Sequence, residues 1–130
     1  MPTDAHLPVY QPGVCNIGPA EIRRRRSSGY LGLAISAILL GLLLAYRANS
    51  LWRLTLFLPV TTAATGFLQA YYHFCAGFGM RGLFNVAKSV GQTDTVIEAE
   101  FRKKDKQKSL RIFGQAVLVG VVVAFLAYIL

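Results

Sequence analysis

The chain has 130 residues, 54% of them hydrophobic and only 15% charged, with 14 Lys and Arg against 6 Asp and Glu for a formal charge of +8. An average soluble domain carries about 25% charged residues, and here the shortfall is gathered into three apolar stretches. Too few residues remain outside those stretches to bury a second, water-soluble core with its own pocket.

Residues 1–20 hold Pro2, Pro8, Pro12 and Pro19 together with Gly13 and Gly18, so neither helix nor central strand persists there. The expectation is an extended arm that is disordered alone and ordered only against another surface, such as a partner subunit. Pro19 suits the first turn of a helix starting near Gly18, and Glu21 suits that helix's positive end. The helix then runs through Arg23, Arg24, Arg25 and Arg26 into the first apolar stretch, residues 29–46. That stretch is no secretory signal. A charged tail precedes it and no small-residue cleavage site follows, so it is expected to stay attached as an anchor.

Residues 47–51 form a tight connection that forces the next span antiparallel to the first. The second stretch, residues 54–75, contains Pro59, which is expected to bend the helix unless Thr61, Thr62 or a neighbouring helix compensates. Gly77, Gly79 and Gly82 loosen its end, so residues 74–84 are expected to leave the membrane as a bent interfacial strip. After Gly91, Thr95 and Glu98 have capping-box spacing, and no Pro or Gly interrupts residues 95–113. Glu98 with Arg102 and Glu100 with Lys104 are four apart in the favourable order. One helix is therefore expected to run from there into the third stretch, residues 112–130. The sequence thus reads as an all-α membrane protein: an arm over 1–20, then one three-span membrane domain over 21–130 with a partly helical connection over 76–111. A bilayer core about 30 Å thick needs roughly 20 helical residues, and each stretch falls near that length.

Lys and Arg near the ends set the expected orientation. Four arginines precede the first span, two basic residues lie between Arg47 and Arg53 and eight between Arg81 and Arg111. The positive-inside rule places the N-terminus and long connection in the cytoplasm and the C-terminus outside, as for a multi-pass protein of the bacterial inner (plasma) membrane. Arg23, Arg24, Arg25, Arg26, Lys103, Lys104, Lys106, Lys108 and Arg111 are expected at lipid headgroups. That basic run has no interleaved aromatics, which argues against nucleic acid.

Small residues recur every fourth position in each span: Ala37, Gly41 and Ala45; Thr62, Gly66 and Ala70; Ala116, Gly120 and Ala124. Such stripes let helix backbones approach closely, either within the chain or with another membrane protein. Cys15, Cys75 and His73 are the candidates for thiol or metal chemistry. Zinc wants four ligands, and on a continuous helix His73 and Cys75 would point about 200° apart, with His73 on the stripe of Gly66 and Ala70. No nucleophile motif, phosphate loop or intramembrane carboxylate is found, and no cofactor is implied.

A glycine- and leucine-rich first span, Trp52 at the turn, Leu58-Pro59, Thr65-Gly66 and Cys75 at the inner end make residues 32–82 resemble the YgaP-type two-span inner-membrane domain, sometimes fused to a rhodanese. Ala76 stands where that pattern has proline. The resemblance implies that Cys75 handles sulfur. The residues themselves favour an accessory or assembly subunit without catalysis of its own, packed against larger membrane proteins or other copies. Cytoplasm-facing sulfur or metal handling through Cys15 and Cys75 is the alternative, and a homo-oligomeric pore a third.

Overall fold

The computed structural model describes residues 10–86, 91 and 93–130. The first nine residues of the expected arm, and 87–90 and 92 of the long connection, lie outside the described residues. The elements in order are α1 (Pro19–Ala45), α2 (Ser50–Arg53), a 3-10 turn (Leu54–Leu56), α3 (Phe57–Tyr72), α4 (Ala76–Arg81), β1 (Leu83–Phe84), β2 (Asp94–Thr95) and α5 (Ala99–Ile129). The described chain is mostly helical. By length and composition three segments are long and apolar enough to cross a membrane: Pro19–Ala45, Ser50–Tyr72 and Ala99–Ile129.

α1 begins where proline costs nothing, since Pro19 occupies the first turn and has no amide to leave orphaned. It ends in a Schellman turn: Ala48 N–H donates to Leu43 O at 2.9 Å and Arg47 N–H to Leu44 O at 3.2 Å, with Arg47 left-handed at φ 51°. Asn49 then caps α2 by accepting from Leu51 N–H. Pro59 does not fall in a helix interior. Leu54–Leu56 takes up a 3-10 turn, α3 starts at Phe57, and Pro59 falls in its first turn, where a missing N–H breaks no bond of the helix interior.

α3 stops at Tyr72, short of the expected residue 75. His73 adopts the left-handed conformation at φ 56°, and Phe74 N–H donates to Gln69 O at 3.0 Å. The break lets Phe74 turn inward, fully buried with Ala76 and Ile112. Thr95 does not cap α5. It pairs with Leu83 in a short antiparallel ladder, Val96 N–H donates to Gly82 O at 2.8 Å, and the helix starts only at Ala99. Val96 is 2% exposed, so its burial and the ladder outweigh the capping box. Arg102, expected to pair with Glu98, instead donates to Val96 O and Ile97 O at 2.8 and 2.6 Å.

α3 is the middle helix, packed against α1 on one side and α5 on the other, while α4 packs on α5. The buried positions of α5 are Asp105, Ser109, Ile112, Ala116, Gly120, Ala124 and Ala127, a narrow stripe at three- and four-residue steps. Most large apolar side chains of α1 and α5 point outward, Leu118 at 63% and Ile38 at 63% exposed among them, which is the inverse of a water-soluble bundle.

Candidate functional site: a polar clasp at the arm end

The residues that join distant parts of the chain collect where the arm meets the ends of α1, α3 and α5. Gln11–Cys15 is a tight turn closed by Gln11 N–H to Cys15 O at 2.8 Å. Beyond it the arm threads between α4's start and β1. Asn16 is wholly buried and clips the α3–α4 junction: its Oδ1 accepts from Cys75 N–H at 2.6 Å and its Nδ2 donates to Cys75 O at 3.1 Å. Asn16 N–H donates to His73 O at 3.2 Å, and Asn85 N–H donates to Asn16 O at 2.9 Å. Gly18 N–H continues the pairing to Asn85 O, and a Cβ on Gly18 would sit 3.0 Å from Val86 O. The surface on which this part of the arm lies is therefore the chain's own.

Two buried carboxylates complete the clasp. Glu21 accepts from Arg25 Nη1 at 2.8 Å, from Asn85 Nδ2 at 2.9 Å and from Gly91 N–H at 3.2 Å, so one side chain ties α1 to the long connection. Asp105, fully buried on α5, accepts from Tyr10 Oη and from Gly13 N–H, each at 2.7 Å. Tyr10 stacks on Phe84 with centroids 4.5 Å apart. Burial, then the hydrogen bond to Asp105 and its charge, push the Tyr10 phenol above its ordinary range. Gln69 accepts from Ala76 N–H at 2.8 Å and so stitches the break after α3. Among the described residues Glu21–Arg25 is the ion pair formed; Glu98 and Glu100 take no part in one.

The two thiols belong to this region. Cys75 is 5% exposed, packs with Ile17 and Phe78, and its Sγ accepts from Arg25 Nη2 at 3.0 Å. Arg25 also lies over the Phe78 ring, 5.4 Å from its centroid. Of the four arginines expected at headgroups, this one faces inward; Arg23, Arg24 and Arg26 are exposed. Cys15 directs its Sγ at Ile17 O, 3.4 Å away, and burial raises its thiol despite that opposing hydrogen bond. Asn16 therefore brings the Cys15 segment against the backbone of Cys75. His73 is exposed and ends the helix, so it does not sit on the stripe of Gly66 and Ala70, and the helical angle between it and Cys75 does not apply. Among the described residues no group of three or more His, Cys, Asp or Glu is placed to hold a metal ion.

The small-residue stripes divide. Gly66 meets α1 so closely that a Cβ there would lie 2.7 Å from Arg25 O and from Gly29 N. A Cβ on Gly120 would collide with Thr61 Oγ1 and come within 3.0 Å of Phe57. Ala70, Ala116 and Ala124 are buried likewise, whereas Thr62 is exposed and donates to Leu58 O of its own helix at 2.9 Å. In α1 the contact uses Gly29, Gly32 and Ser36; Ala37, Gly41 and Ala45 are exposed, and a Cβ on Gly41 would meet nothing within 4 Å. Lys103, Lys104, Lys106 and Arg111 are exposed, while Lys108 rests its Nζ 4.0 Å from the Tyr72 centroid.

Sequence reasoning missed Asn16, Asn85 and Asp105, and read Glu21 only as suited to the positive end of α1. Their signal was faint: polar residues in a polar-poor chain, and for Glu21 and Arg25 a four-residue spacing. No protein-family model, no curated protein and no solved structure matches the chain.

Proposed function

We propose that this protein is a multi-pass accessory or assembly subunit of the plasma membrane that packs against a larger membrane-protein partner, its arm end in the cytoplasm and its C-terminus outside. The supporting observation is the unused stripe of α1. α3 and α5 spend most of their small residues on contacts within the chain, but Ala37, Gly41 and Ala45 stay open over two turns of a helix that is otherwise bulky. In lipid, where close packing supplies much of the association free energy, such a stripe is where another helix approaches. The clasp supports the same reading, because Asn16, Glu21 and Asp105 are all consumed in holding the chain's own segments together.

The test is purification in mild detergent at native expression, with Gly41→Leu as the informative variant. A partner should co-purify in fixed ratio with the wild type and fall away with Gly41→Leu while the subunit itself stays folded. A stable monomer from wild-type cells overturns the proposal. One observation favours a second reading: the 3.0 Å contact from Arg25 to Cys75 puts a guanidinium on a sulfur, the electropositive setting in which thiols react. Thiol-dependent sulfur or metal handling would then need Cys75, and Cys75→Ser would abolish it, whereas Gly41→Leu would not.

A further inference from the structure

On one side of the middle helix the spanning parts of α1 and α5 stand apart. Between them lies a groove of about 380 Å³, walled by Leu33 and Leu40 of α1 and by Val119 and Val123 of α5, and floored by Val60 and Ala64 of α3. Its volume falls within the range of small-ligand pockets, about 300–1,000 Å³. Ser36 carries a hydroxyl on the wall, but that hydroxyl donates to Gly32 O at 2.7 Å, which leaves no polar group in the groove seeking a partner.

The mouth has the opposite character. Arg26 stands seven residues before Leu33, so it lies on the same face about 10 Å further along the helix, and Arg23 lies about one turn beyond it. Both are exposed, and among the described residues neither meets a carboxylate. Between arginines and groove, Tyr30 and Phe67 meet edge to face at 5.0 Å and form a lip. From residue 29 to Leu40 the helix rises about 16 Å, close to half of a roughly 30 Å bilayer core.

We infer that this groove is a binding site for one acyl chain of an anionic glycerophospholipid, with its phosphate held at Arg26 and Arg23. The inference rests on the membrane-inserted, arm-inside reading proposed above, but not on any protein partner. Size decides between a lipid chain and a partner helix. Ten residues of helix with side chains fill a cylinder about 10 Å across and 15 Å long, on the order of 1,000 Å³, and would rest on the rim. Charge decides the headgroup, because two uncompensated guanidinium groups at headgroup level favour a headgroup with net negative charge over one whose phosphate is offset by its own cation.

Native mass spectrometry of the full chain, released from vesicles of phosphatidylglycerol or phosphatidylcholine with identical acyl chains, tests it. The expected result is one retained phosphatidylglycerol per chain and at least tenfold less phosphatidylcholine. The double variant Arg23→Gln with Arg26→Gln should lower retention about tenfold. Filling the groove from the floor with Ala64→Leu, or from the wall with Val123→Phe, should do the same with all arginines present; the second covers the case in which the first does not fold. Equal retention of both lipids overturns the inference, as does undiminished retention in a folded groove-filled variant. A photo-crosslinker at Val123 that captures a protein rather than a lipid in cells overturns it too. Partner co-purification, followed on the same variants, separates the two readings: a chain without a partner that still retains its lipid defeats the subunit proposal and leaves this one standing.

Discussion

Among the described residues two side chains stand in a backbone region that favours glycine, and each ends a helix: Arg47 at φ 51° and His73 at φ 56°. The left-handed conformation costs an L-residue roughly 1–2 kcal/mol, most for β-branched ones. His73→Gly is therefore expected to hold or raise thermal stability in micelles, and His73→Val to lower it, because Phe74 cannot reach its buried place unless the chain turns at residue 73. Asn16 is the opposite case, a residue held by what it bonds. Asn16→Ala would leave the buried N–H and carbonyl of Cys75 without these partners, a loss of about 1–3 kcal/mol readable in the same unfolding assay. Two groups of the arm also give a pH dependence. Tyr10 and Cys15 both have folded values raised above their ordinary 10.0 and 9.0, so the unfolded arm loses its protons first as pH rises. Docking of the arm is thus fully stable below those values and weakens above roughly pH 9–10. Alkylation of Cys15 as a function of pH checks the sign: its onset should lie above that of a solvent-exposed cysteine, and Tyr10→Phe should weaken docking at every pH while removing the phenol's share of the pH dependence.

At the scale of elements, the glycines of the long apolar helices separate into those that carry a helix contact and those that carry none. Gly66→Ala and Gly120→Ala insert a Cβ into backbone or side-chain atoms, and overpacking of this kind typically costs about 1–3 kcal/mol. Gly41→Ala meets open space and also improves helix propensity, so it should be neutral or slightly stabilising. Thermal unfolding of the three variants in one detergent checks the order. The same contrast shows what was legible in the sequence. The apolar stretches could be read from composition because a span needs only length and the absence of charge. The face by which α1 meets α3 was not legible, because Gly29, Gly32 and Ser36 step by three and four, whereas Ala37, Gly41 and Ala45, which stay open, match the four-residue template better. The clasp was not legible. Asn16 finds its partner 59 residues away and Asn85 finds Glu21 at a separation of 64, and nothing local marks an asparagine as a crosslink rather than a loop residue. Thr95 misled for a related reason: its spacing to Glu98 is a local signal, and pairing with Leu83 overrode it.

Over the whole molecule the bonding is lopsided. At the arm end Tyr10, Asn16, Glu21, Asn85 and Asp105 knit the arm, α1, the α3–α4 junction and α5 together through buried hydrogen bonds. At the other end, among the described residues, α2 packs on α5 with one side-chain hydrogen bond, from Arg53 Nη1 to Ala127 O at 3.3 Å, and Arg53 Nε finds no partner. Between the ends α1 and α5 each lean on α3 by small-residue contacts. Opening therefore costs least at the hairpin end, where few buried contacts have to be released. Amide hydrogen exchange in micelles should show Leu51–Leu56 and the last turn of α5 exchanging first, with Phe74–Phe78 and the start of α1 among the slowest amides. Asp105→Asn is the variant that should erase this gradient. An amide cannot present two accepting oxygens to Tyr10 and Gly13, so the arm loses one of its anchors on α5, and protection at Asn16, Cys75 and Asn85 should fall together while the long apolar helices keep theirs. If protection falls evenly through all three helices instead, the clasp is part of one cooperative unit with the spans rather than a lock placed across their ends.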